Sequence, residues 1–249
     1  LVSKIRDCEK DILKTFLSSM TANETLIGKN VLLIGGGSGL GEAAALLLAK
    51  HGARVVIAGR RIENLKSTIS KSDVPENISA IEADVTVRSS LDELFTRFDN
   101  EIGTLDFLVH AAGINIAMRS MQELEPVEWD RLIQINLTGS YNVMRLTLDR
   151  MRPRKKGLVI LINSVAGRRS VPLGGIGYNA SKFGLSGLGM GVAEEEKENG
   201  IRVSNIYPGE VNTPILDNRK EPPNQEHRES ILQPKDLATV ILQLCQLPD

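Results

Sequence analysis

The stretch Val31 to Gly41, VLLIGGGSGLG, constrains this chain more than any other. Four consecutive apolar residues fit a strand buried on both faces of a parallel sheet. Glycines at 35, 36, 37, 39 and 41 then remove side chains where the backbone must turn and something must approach closely. Ala43 to Lys50 continues as helix. A helix that starts inside such a turn leaves its first N–H groups unpaired at the positive end of its dipole, so an anion is expected beside Gly35, Gly37, Ser38, Gly39, Leu40 and Gly41. A diphosphate suits best, because strand, glycine turn and helix in this order form the dinucleotide-binding fingerprint; a purely structural turn is the alternative.

The rest of the chain is long enough to build one large α/β domain around this unit, and no Pro-rich or Ser/Gly linker divides its 249 residues. Its 30 basic and 31 acidic residues leave a net charge of −1, so no overall field recruits nucleic acid or anionic lipid. Cys8 and Cys245 have neither metal-ligand nor redox spacing, which suits a reducing compartment and no metal. No apolar run is long enough to span a membrane, and a cytoplasmic protein is expected.

Residues 1–28 read as a helical extension, with Ile5, Cys8, Ile12, Phe16 and Met20 on one helix face. Packing on its own domain or a partner helix would both account for it. Ala53–Gly59 is a second β-branched strand, followed at once by Arg60 and Arg61. At this strand tip an acid would accept from a ribose 2′-hydroxyl and an arginine would pair with a 2′-phosphate, so Gly59 and Arg60 favour NADP(H), with NAD(H) possible. Arg61 also fits a solvated helix N-terminus.

A third strand, Ile78–Ala83, leads to Asp84 and Val85, and a helix carries Leu91, Leu94, Phe95 and Phe98. Leu105–Val109 is the fourth strand. It runs into His110 and the small residues Ala111, Ala112 and Gly113, a tip flat enough for a ring or ribose. His110 is a proton donor or a structural residue. Val127–Met151 reads as one long amphipathic helix in which Asn136 is out of place, needing partners for packing or a water relay. Its basic end, Arg150 to Lys156, is a favourable helix C-terminus or a dock for an acidic partner.

Leu158–Asn163 is the fifth strand and delivers Ser164 to the carboxyl edge of the sheet, where ligands of open α/β folds bind. Tyr178 precedes a helix expected over Ala180 to about Glu198. A sixth strand, Ile201–Tyr207, ends at Pro208 and Gly209. Residues 213–230, broken by Pro214, Pro222 and Pro223, read as a lid, and one more helix follows. Strands and helices alternate, which predicts a doubly wound parallel sheet in three layers. Arg168 and Arg169 suggest either an acidic substrate or solvent-facing side chains.

Tyr178 and Lys182 lie four apart, so a helix sets them on one face, and a nearby ammonium would lower the phenol's pKa toward working pH. Tyr141 and Arg145 repeat the spacing without neighbours of use, so spacing alone decides little.

Taken together, GGGSGLG, HAAG, Asn136 in INLTG, Ser164 in INSVAG, YNASK and YPGEVNT resemble the short-chain dehydrogenase/reductase family, in its order and approximate spacing, over roughly Lys29 to Thr213. The resemblance implies a Rossmann-like domain over 29–249 and an oxidoreductase that moves hydride between NADP(H) and a carbonyl or secondary alcohol. It makes Tyr178 the acid/base, with Lys182 assisting it and holding the nicotinamide ribose. Ser164 would stabilise the developing alkoxide, and Asn136 would order the water that reloads the proton. Pro208, Gly209, Val211 and Thr213 would fix the nicotinamide amide, and Asp84 and Val85 would flank the adenine.

Three departures stand out. Ile34 replaces a usual threonine and His110 a usual asparagine, both braces beneath the cofactor, so a substitute brace is expected. The chain also stops at Asp249 after a helix, where members usually add a strand that helps to build oligomers; a homo-oligomer is still expected. A 3-oxoacyl carrier-protein reductase, docked through the basic end near Arg150, and a non-catalytic NADP-binding sensor are the competing readings.

Overall fold

The computed structural model describes residues 26–248. The extension helix expected over residues 1–28 falls almost wholly outside them. Six strands form one parallel sheet: β1 (Asn30–Ile34), β2 (Arg54–Gly59), β3 (Ile78–Glu82), β4 (Phe107–His110), β5 (Gly157–Ile162) and β6 (Ile201–Ile206). Their spatial order is β3-β2-β1-β4-β5-β6. Sequence order reverses direction between β1 and β4, the switch point at which open α/β sheets leave a crevice at their carboxyl edge.

Alternation along each strand divides the core into two layers. Leu32 and Ile34 of β1 face one side, together with Leu91, Phe95 and Phe98 of α3 (Arg88–Glu101) and Val143, Leu148 and Met151 of α5 (Gly139–Met151). Val31 and Leu33 face the other side, against Ala44, Ala45 and Leu48 of α1 (Gly39–Lys50) and Ile241 of α8 (Pro234–Gln246). With both faces covered, the strands can be apolar throughout, as the runs LLI and VILI predict. α2 (Ile62–Ser70), α4 (Pro126–Ile133), α6 (Ile176–Glu195) and α7 (Gln225–Ser230) complete the helices among the described residues.

Several helix boundaries differ from the expectation. The helix expected over Val127–Met151 is α4 and α5 joined by a π-helical turn at Gln134–Thr138. Asn136 sits in this turn, where one extra residue per turn re-aims its amide. The helix expected from Ala180 starts four residues earlier, at Ile176, because Gly175 takes φ = 78° and turns the chain into it. Tyr178 therefore belongs to the first turn of α6.

The basic end of α5 is neutralised locally. Arg150 pairs with Asp99 at 2.7 Å, Arg152 with the buried Glu196 at 2.5 Å and Arg154 with Asp106 at 3.0 Å. These pairs tie α5 to its neighbours and take up the three arginines of the basic stretch from which carrier docking was read.

The glycine turn has no slack. A Cβ added at Gly41 would lie 2.1 Å from the Gly35 carbonyl oxygen, a backbone atom that cannot move without opening the turn. Gly41→Ala is expected to cost about 1–3 kcal/mol as overpacking and to weaken dinucleotide binding. Thermal unfolding and a cofactor titration would check both. Gly187→Ala, on an exposed face of α6 with nothing within 4 Å, is the control and should not destabilise.

Candidate active site

All of the expected cofactor-contacting residues line one cleft of about 840 Å³ along the carboxyl edge of the sheet. Its size lies in the usual range for small-molecule and cofactor sites. At one end, the N-terminus of α1 opens into it: Ser38 is the N-cap with extended backbone and makes no side-chain cap hydrogen bond, so the first N–H groups of α1 have no side-chain acceptor. A phosphate meets that need, and the turn fits the dinucleotide expected for it. Beyond the tip of β2 lie Arg60, exposed, and Arg61, the N-cap of α2. With the Asn64 amide turned so that its oxygen faces the guanidinium, Arg61 donates to it at 3.2 Å. Arg61 is thus partly tied to its helix, and Arg60 is the freer of the two. Asp84 spends one carboxylate oxygen on the backbone N–H and hydroxyl of Thr86.

Past Ala111 and Ala112, Gly113 leaves a flat floor: a Cβ there would stand 3.7 Å from Lys182 Nζ and 3.4 Å from Asn136 Oδ1. Asn136 is fully buried behind the cleft. Its Oδ1 accepts from the Ile114 N–H at 2.8 Å, and its Nδ2 donates to the Ile114 carbonyl at 3.0 Å and to Ser181 Oγ at 3.1 Å. The out-of-place amide thus ties the loop after β4 to α6.

His110 is buried beneath this bridge. Its Nε2 lies 2.8 Å from Ser140 Oγ, and Ser140 donates to the Asn136 carbonyl at 2.8 Å. Burial, aided by the charge of Lys182, pushes the imidazole down to about 3. It stays neutral at working pH and braces the π-turn, which answers the question left by the missing asparagine and removes His110 as a proton donor.

Lys182 is buried, donates from Nζ to the Ile162 carbonyl at 3.0 Å and stands 5.7 Å from the centre of the Tyr178 ring. Burial lowers it to about 8. The Tyr178 phenol behaves differently from expectation. Burial raises it above its ordinary value, and the opposing influences are a hydrogen bond with Ser164 and the charge of Arg119. Desolvation outweighs both.

Ser164 follows β5 as the N-cap of a short turn, its Oγ accepting from the Ala166 N–H at 3.1 Å. Asn163, not singled out from sequence, holds it: Oδ1 accepts from the Ser164 N–H at 3.0 Å, and Nδ2 donates to Ser186 Oγ at 2.9 Å. An amide at the end of an apolar strand was the available signal. Arg119 was also missed, because its loop carries no pattern that points to the cleft. Arg168 stacks over the Tyr207 ring at 5.2 Å, and neither it nor Arg169 lines the cleft.

The profile of the short chain dehydrogenase family matches residues 29–224. The chain belongs to the short-chain dehydrogenase family. Glycine betaine reductase ATRR of Emericella nidulans is 32% identical over 232 residues, which are 90% of this chain but only 18% of that protein. Among solved structures, 3-ketoacyl-(acyl-carrier-protein) reductase from Brucella melitensis complexed with NADH superposes with a TM-score of 0.81 at 28% identity, covering 89% of this chain and 92% of that one. ElxO with NADP bound superposes with a TM-score of 0.78 at 28% identity, covering 87% and 91%. This short-chain dehydrogenase is accordingly an oxidoreductase that acts on CH–OH or C=O groups with a nicotinamide dinucleotide. No helix among the described residues is long and apolar enough to cross a membrane, and no group of three or more His, Cys, Asp or Glu there is placed to hold a metal ion.

Proposed function

We propose that this chain is an NADP(H)-dependent reductase or dehydrogenase of a small carbonyl or secondary alcohol, with Tyr178 as its acid/base. The observation that carries the reading is the convergence of Ser164, Tyr178 and Lys182 on the cleft that also contains the uncapped N-terminus of α1. The bound dinucleotide supplies or accepts the hydride. Tyr178 gives its phenolic proton to the carbonyl oxygen, Ser164 donates a hydrogen bond to the same oxygen as charge develops, and Lys182 holds the ribose. Asn136 positions Ile114 against α6, and its π-turn is proposed to hold the water that returns the proton. A sensor without turnover would have no use for this set of side chains beside one another.

The preference for NADP(H) rests on Arg60, an exposed guanidinium at the tip of β2 with no carboxylate in that place to favour a ribose hydroxyl. Exposed apolar side chains on α5 and α6, Tyr141, Phe183 and Met190, support a homo-oligomer. Purified protein should consume NADPH with a panel of aldehydes and ketones and bind NADPH more tightly than NADH. Arg60→Ala should lower the NADPH preference about tenfold or more, since a charge-assisted phosphate contact is lost. Equal affinity for both cofactors in the wild type would remove the preference, and no oxidation across the panel would favour the sensor.

A further inference from the structure

Two other arginines that line the cleft are matched by carboxylates. Arg131 pairs with Glu128 at 3.1 Å, and Arg219 pairs with Glu210. Arg119, in the loop between β4 and α4, is unmatched by any carboxylate among the described residues. Its backbone is pinned at the start of α6: the Arg119 carbonyl accepts from the Ile176 N–H at 3.0 Å, and a Cβ at Gly175 would fall 2.3 Å from the Arg119 Cβ. The guanidinium then reaches across the mouth, donating to the carbonyls of Ile116, of Leu173 at 2.7 Å and of Asn218 at 3.3 Å.

A guanidinium has five N–H donors. Three are engaged here, all by neutral acceptors, so the charge is not compensated and two N–H groups remain. Burial and the like charge of Arg219 both disfavour this cation, and the Tyr178 phenol is near enough to feel it. Glu210, which lines the cleft with Arg219, is already shared by Arg219 and His227. A partly buried cation left without a counter-ion beside the reacting oxygen calls for an anion from outside.

We propose that Arg119 is a specificity-determining residue that binds an anionic substituent, a carboxylate or a phosphate, on the carbonyl substrate. The inference rests on the reading of Tyr178 as the group that meets that carbonyl. It assigns the polar end of the substrate to the space bounded by Arg119, Leu173 and Asn218, and the reacting carbon to the space beside Tyr178. A residue that merely clamped three loops would affect charged and neutral substrates alike.

The test compares anionic and neutral members of matched pairs: 2-, 3- and 4-oxo acids against their methyl esters, and dihydroxyacetone phosphate against dihydroxyacetone. The wild type is expected to favour an anionic member by about tenfold or more in kcat/KM. Arg119→Met should bring that ratio toward one, and Arg119→Lys should restore part of it. Preference confined to the oxo acids identifies a carboxylate, and preference confined to the phosphate identifies a phosphorylated ketone. Titration of the same acids and esters into protein loaded with NADP⁺, where reduction cannot occur, reads binding without turnover. Arg119-dependent anion binding without any turnover would sink the oxidoreductase reading alone. No anion preference in either assay, or a preference that Arg119→Met leaves unchanged, overturns the proposal.

Discussion

Tyr178→Phe is expected to lower kcat for carbonyl reduction by roughly 10²–10⁴-fold, the usual worth of a positioned general acid, while NADPH binding persists. The substitution removes one hydroxyl from the first turn of α6 and leaves the ring in place over Lys182. What is lost is the proton and the hydrogen bond with Ser164. Because burial keeps the phenol above its ordinary value, Tyr178 is protonated at neutral pH, the form that donates to a carbonyl. Alcohol oxidation needs the deprotonated form, so its rate should rise with pH across the neutral and mildly alkaline range. A variant as active as the wild type at every pH would remove Tyr178 from the chemistry.

Ser164→Ala should lower kcat by about 10²–10³-fold, in line with the loss of one donor to a developing oxyanion, with a smaller change in KM. The reason for a kcat effect is preorganisation. Ser164 Oγ already accepts from the Ala166 N–H, and its backbone is held by Asn163, so its hydroxyl oxygen is in place before substrate arrives. The interaction strengthens only as charge builds on the substrate oxygen, and stabilisation confined to the transition state appears in kcat. Steady-state kinetics of both variants on one substrate decides this. An effect of Ser164→Ala on KM alone would reassign it to ground-state binding.

Local signals located most of the site. The glycine turn, Ser164 at a strand end and the four-residue step from Tyr178 to Lys182 are features of backbone period and residue type, and short-range sterics make them legible. The π-turn around Asn136 was not. It arises because an amide satisfied by Ile114, in a distant loop, and by Ser181, on another helix, outweighs the regular ladder. The local pairing of the basic end near Arg150 was hidden for a similar reason. Its acidic partners Asp99, Glu196 and Asp106 lie 51, 44 and 48 residues away in sequence.

By itself the amino-acid order determined the alternation of strand and helix, the phosphate-shaped turn and which side chains reach the carboxyl edge, because these follow from periodicities of two and 3.6 and from where a chain lacks side chains. Only the tertiary structure decided the balance of charge and solvent in the cleft. Lys182 lost water, Tyr178 was pushed up rather than down, His110 became a neutral brace and Arg119 was left without a counter-ion. Desolvation and long-range pairing depend on what surrounds a group in space, and no window along the chain contains that information.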